Sequence, residues 1–201
     1  MTLFSTAYFP SISYMARFLQ EDAPVVEIWE TYRKQTYRNR CRVMTANGVE
    51  SLTVPVVKHN GNHTMTKDIL VSDHAPWQHI HSRCLESAYK AAPYFDHYYD
   101  FLRPIFEGRF NRLIDLNETA LQAVLKMLKT KKEIVYTTDY VREAENDLRE
   151  AFSPKKPSDG CLFPTYYQVF ETKFPFAPDL SVLDLVFNEG PEAVEYLRRL
   201  V

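Results

Sequence analysis

Residues 32–41, YRKQTYRNRC, set Arg33, Lys34, Arg38 and Arg40 beside Tyr32, Tyr37, Gln35 and Asn39 in a chain whose formal charge is -2. Guanidinium forks bind phosphate or carboxylate through paired hydrogen bonds, and an ammonium adds a point charge. Arg38, Arg40 and Arg42 lie two apart, so an extended backbone would project all three from one face. The chemistry expected is anion binding. Lys34, Arg38, Arg40 and Arg42 would neutralise a phosphorylated or carboxylated ligand, and Tyr37 and Asn39 would position it. The other use of such a run is a solvated edge strand, whose cations block unwanted pairing.

Other reactive types add less. His59 and His63 stand four apart in a polar loop, residues 58–66, and either becomes a general base if that loop covers the basic segment. His79 and His81 form an HxH pair, but on a helix two such side chains point about 200° apart, so no chelated metal is expected. Cys41 adjoins Arg40 and Arg42, whose charges favour a thiolate, yet it has no base beside it and reads as a small core residue. GxSxG, GxGxxG and GxxxxGK[ST] motifs are absent, which argues against a nucleophile elbow and against dinucleotide or P-loop sites. The residues specify no cofactor. Tyr89, Tyr94, Phe95, Tyr98 and Tyr99 have helical spacing, which makes them core before they are a sugar-stacking surface.

The positioning elements follow from periodicity. Leu3, Ser5, Ala7 and Phe9 alternate before Pro10, predicting a short strand that delivers Tyr8 to a turn near the ligand. Residues 11–21 read as a helix, 24–32 as a strand, and 37–46 with 49–57 as a hairpin about Asn47-Gly48, where a type I′ turn needs positive φ at both residues. Residues 67–71 suggest a further strand. Helices are predicted from Pro76 to Ala92 and from Pro93 to Gly108, then one capped by Asp115 and Glu118. A short extended piece at 133–138, a charged helix at 142–151 and a loop at 153–159 precede an apolar tail. The fold class expected is α+β: a mainly antiparallel N-terminal sheet, a helical middle and a C-terminal segment packing back, in one domain over 1–201.

Bulk composition agrees with a globular protein. With 201 residues, 45% hydrophobic and 14% aromatic, the chain can bury roughly 70% of its unfolded surface. Balanced charge disfavours a nonspecific nucleic-acid binder. Three widely spaced cysteines do not form a disulfide framework. The start, MTLFSTAYFP, lacks a cationic segment and a long apolar one, and no run of about 18 apolar residues occurs, so a cytoplasmic protein without a membrane span is expected.

The blocks AYFPSISY, YRKQTYRNRC, LTVPV, YKAAPYFDHYYDFL, and YQVF followed by DLSVLDLVFNEGPEAVEYL resemble, in order and spacing, the WbqC-like protein family. The resemblance implies a transferase of surface-polysaccharide (O-antigen) biosynthesis that passes an aminoacyl group, glycyl among them, to an amino sugar held as a phosphorylated sugar or nucleotide sugar. Many members open with Gln-Pro or His-Gln-Pro, whereas Ser5 and Thr6 precede Ala7-Tyr8-Phe9-Pro10 here. Independent of the resemblance, a noncatalytic binding protein could use the basic segment against an acidic protein or RNA.

Overall fold

The computed structural model describes residues 1–155 and 162–200. In chain order the elements are β1 (Thr2–Ser5), α1 (Ile12–Gln20), β2 (Val25–Glu27), β3 (Arg40–Thr45), β4 (Gly48–Thr53), β5 (Val56–Val57), β6 (Leu70–Val71) and α2 (Trp77–Tyr89). They continue with α3 (Phe95–Tyr98), α4 (Arg103–Glu107), α5 (Leu113–Met127), β7 (Val135–Tyr136), β8 (Asn146–Asp147), α6 (Val182–Glu189) and α7 (Ala193–Arg199). The α+β class is as expected, but the principal sheet is not antiparallel. Its order is β7-β2-β1-β8, and all three pairings are parallel. The β1-α1-β2 succession is a crossover unit, the connection that parallel neighbours require.

β1 is buried along its whole length, as a central parallel strand covered on both faces must be. Phe4 packs on Tyr14 and Phe18 of α1, with ring centroids 5.3 and 5.2 Å apart. Ser11 begins α1 by accepting from the Tyr14 backbone N–H, and Ile12, Met15 and Phe18 present its apolar face inward. One hydrophobic cluster takes in residues from Phe4 to Leu197, so the tail packs on the N-terminal elements. Buried Asp184 of α6 ties them together, accepting from Tyr89 Oη (2.8 Å), Tyr166 Oη (2.5 Å) and Gln168 Nε2 (2.9 Å).

The hairpin forms with a different turn from the one expected. β3 and β4 pair antiparallel from Arg40↔Thr53 to Thr45↔Gly48, leaving Ala46-Asn47 as the loop. Gly48 takes φ +104° and Asn47 does not have positive φ, so the bend is of the kind that places a single glycine in the left-handed region after the turn. The helix expected at 93–108 is broken into α3, a 3₁₀ turn and α4, with Pro104 in the first turn of α4. α5 starts at Leu113 after Arg112, which pairs with Asp115, so Asp115 lies inside the helix and does not cap it. The charged helix expected at 142–151 is absent: this stretch supplies β8, and the Asp147 carboxylate accepts from the Arg149 backbone in a local turn. Residues 156–159 of the expected loop, and Cys161, lie outside the described residues. Among the described residues no helix is long and apolar enough to cross a membrane.

Strand order determines where a ligand is easiest to hold. The connection from β1 leads to β2 on one side, while β8 returns on the other, so the strand order reverses beside β1. In open parallel sheets, ligands bind in the crevice outside the carboxyl ends of the strands at such a point. Here those ends are Ser5, Glu27, Tyr136 and Asp147.

Candidate functional site

The basic segment leaves the carboxyl end of β2 and runs along residues 64–66. Tyr32 N–H donates to the Thr64 carbonyl (2.9 Å), and Thr66 N–H donates to that of Glu30 (2.8 Å). Side chains of the segment then face two hollows. Thr31 and Arg33 line one at the sheet edge, and Tyr32 and Lys34 line the other beside the hairpin. Gln35, at φ +59°, reverses the chain, and Tyr37, Arg38 and Asn39 return buried before β3 begins at Arg40.

The hairpin-side hollow, of about 410 Å³, is basic. Lys34, Arg40 and Lys58 converge on it, and none of the three forms an ion pair among the described residues. Partial burial and the Lys34 charge depress the Lys58 ammonium below its ordinary range. Lys58 Nζ lies 5.4 Å from the centre of the Tyr32 ring. Two buried polar atoms here have no partner: Arg40 Nε and Asn39 Oδ1. Asn39 is itself fixed, since its Nδ2 donates to the Val54 carbonyl at 2.8 Å. A buried donor left unpaired costs about 1–3 kcal/mol.

Arg38 belongs to the other side. Its Nε and Nη2 donate to Glu30 Oε1 and Oε2 at 2.7 and 2.9 Å, and Nη2 also reaches Glu150 at 3.0 Å. Burial works against its charge, but the two carboxylates more than offset this and hold the guanidinium protonated. Burial pushes the Glu30 carboxyl up, and Arg38 draws it back only in part. Arg38 therefore does not join Arg40 and Arg42 on a common face, because the extended strand that alternation requires starts only at Arg40.

The sheet-edge hollow, about 460 Å³, gathers residues that sequence reasoning did not select: Glu30, Tyr140, Asp147, Arg149 and Glu150. Arg149 grips Asp147 through Nε (2.9 Å) and Nη2 (2.5 Å), and donates to the Val141 carbonyl through Nη1 (3.0 Å). Behind it, fully buried Glu27 accepts from Trp29 N–H (2.6 Å), Thr137 Oγ1 (2.8 Å) and Val141 N–H (2.9 Å). The available signal was the charged residue that closes two of the short strands, Glu27 in β2 and Asp147 in β8.

The remaining expected site residues are dispersed. Tyr8 is fully buried, with its hydroxyl 3.0 Å from His81 Nδ1 and its ring against Trp77. Burial holds His81 at a pKa of about 4, so this imidazole is neutral at pH 7. Burial pushes the Tyr37 hydroxyl up to about 12, and the Tyr37 carbonyl accepts from Tyr8 N–H. His59 is exposed on the loop just past Lys58, as is His63. Burial raises the Cys41 thiol far above its ordinary range despite the neighbouring arginines, which removes it as a nucleophile. Thus Lys34, Asn39 and Arg40 come together, while Tyr8, Tyr37, Arg38, Arg42 and His59 do not join them around that hollow. Among the described residues no group of three or more His, Cys, Asp or Glu could hold a metal ion.

The described residues thus combine a four-stranded parallel sheet, a buried Arg–Glu network at its carboxyl edge and a basic hollow beside a hairpin. The profile of the WbqC-like protein family matches residues 6–154, and the chain belongs to that family. A Mycobacterium tuberculosis protein named Uncharacterized protein Rv1507c is 28% identical over 218 residues, covering 95% of this chain and 91% of the relative. No solved structure matches.

Proposed function

We propose that the protein is a cytoplasmic transferase of surface-polysaccharide biosynthesis that holds a phosphorylated sugar or nucleotide sugar in the basic hollow. The group transferred is aminoacyl, glycyl among the options, and the acceptor is the amine of the sugar. The observation that carries this reading is the convergence of Lys34, Arg40 and Lys58 without a countercharge, next to the unpartnered Arg40 Nε and Asn39 Oδ1. A phosphate would take paired hydrogen bonds from Arg40 and point charges from the two lysines. In the transfer, the amine nitrogen forms an amide with the acyl carbon, the bond from that carbon to the donor breaks, and the amine proton leaves to solvent or a base.

A second reading rests on the exposure of Lys34 at the hollow and of His59 on the loop just past Lys58: this surface could dock an acidic protein or RNA without catalysis. One experiment separates the two. The full chain is screened by NMR against nucleotide sugars, with glycyl donors added and products followed by mass spectrometry. Saturable binding of an amino-sugar nucleotide and a glycyl mass increment, both lost in Lys34→Ala/Arg40→Ala, support the transferase. Binding of RNA or acidic polypeptide with no nucleotide-sugar response overturns it.

A further inference from the structure

The sheet-edge hollow differs from the basic one in its charge balance. Three guanidiniums meet three carboxylates there: Arg38 with Glu30, Arg149 with Asp147, and Arg33 with Glu150. A phosphate entering would have to take a guanidinium from its carboxylate, and the carboxylate left behind would lose its partner in a partly dry site. A neutral ligand faces no such competition. The half-exposed carboxylates of Asp147 and Glu150 accept further hydrogen bonds through their remaining lone pairs, so the complementary ligand donates several hydroxyls.

Shape and topology point the same way. The hollow lies beyond the carboxyl ends of β2 and β8, the two strands that flank β1, and its volume of about 460 Å³ suits a small ligand. One wall is the half-exposed Tyr140 ring, with the Arg149 guanidinium 5.4 Å from its centre. The flat ring offers a face on which the apolar side of a pyranose can lie.

We infer that this crevice is a binding site for a neutral, hydroxyl-rich ring such as an uncharged sugar, distinct from the anion-holding hollow on the other side of residues 31–34. Its basis is the paired charge, the crevice beyond the carboxyl ends of β2 and β8 and the open aromatic ring, and it stands whether or not the basic hollow holds a phosphate.

The test is saturation-transfer NMR on the full chain with neutral methyl pyranosides and maltose, with and without inorganic phosphate. Expected is saturable binding of at least one sugar, undiminished by phosphate. Affinity should fall about tenfold or more in Tyr140→Ala and in Glu150→Gln, each the loss of one strong contact, and be retained in Tyr140→Phe. Tyr140 and Glu150 are both well exposed, and circular dichroism checks that the variants fold. Absence of saturable binding by every sugar, full competition by phosphate, or unchanged affinity in both Tyr140→Ala and Glu150→Gln overturns the assignment.

Discussion

Replacing Arg38 with Met removes the guanidinium that meets the Glu30 carboxylate in two hydrogen bonds, at 2.7 and 2.9 Å, while leaving that carboxylate about 8% exposed. Breaking a buried pair from one side costs about 3–5 kcal/mol, because the remaining charge has neither water nor partner. Glu150, the other partner, is half exposed and resolvates, so its loss adds little. At an unfolding slope of about 2–3 kcal/mol/M, the urea midpoint at pH 7 should drop by roughly 1–2 M. Glu30 is already pushed up by burial and in the variant loses its main lowering influence, so its folded pKa stands well above the unfolded value near 4.3. A group raised on folding favours the native state below its unfolded pKa, and that benefit disappears as pH rises through the folded one. The deficit of Arg38→Met should therefore be full at pH 7 and shrink toward pH 4–5, and Arg38→Met/Glu30→Leu should recover much of it. Urea titrations followed by Trp fluorescence measure all of this. A loss under about 0.5 kcal/mol at pH 7, or one that is flat with pH, refutes the reasoning.

His81, held at a pKa of about 4 by burial, should titrate there by NMR, and the stability it confers should be present above about pH 6.5 and fade toward pH 4 by up to about 3 kcal/mol; titration near 6.5 contradicts this. Asp184→Ala leaves the two buried tyrosine hydroxyl donors without their acceptor, while Gln168 Nε2 keeps the Ala177 carbonyl, and should cost about 3 kcal/mol in chemical denaturation. Gly190 sits at φ +55°, and an added Cβ would lie 2.5 Å from the Tyr94 ring, so Gly190→Ala should lower Tm by several degrees in calorimetry, at about 2–4 °C per kcal/mol.

Local pattern revealed the elements whose partners are near in sequence. The hairpin followed from Asn47-Gly48 between alternating runs, and α1 from Ser11 and its apolar spacing. Sheet direction was harder to read, because β7 and β8 are two residues each and meet β2 and β1 more than a hundred positions away. The basic segment identified Lys34, Asn39 and Arg40, which do share a hollow. Arg38 turns to the other side, since the extended strand begins only at Arg40, and Glu150, 112 positions downstream, helps hold that side chain inside. A charged stretch at 142–151 has the composition of a surface helix. Only the tertiary placement of Asp147 and Arg149 turns it into the wall of a crevice.

The anion hollow is tested most directly by thermal denaturation of wild type and Arg40→Ala with inorganic phosphate and with UDP-N-acetylglucosamine. A ligand at a hundred times its Kd adds about 2.7 kcal/mol, and Tm should rise by about 5–10 °C. The expected result is that rise in the wild type, abolished in an Arg40→Ala protein of unchanged intrinsic stability. Equal shifts in both proteins, or none in either, would contradict the account.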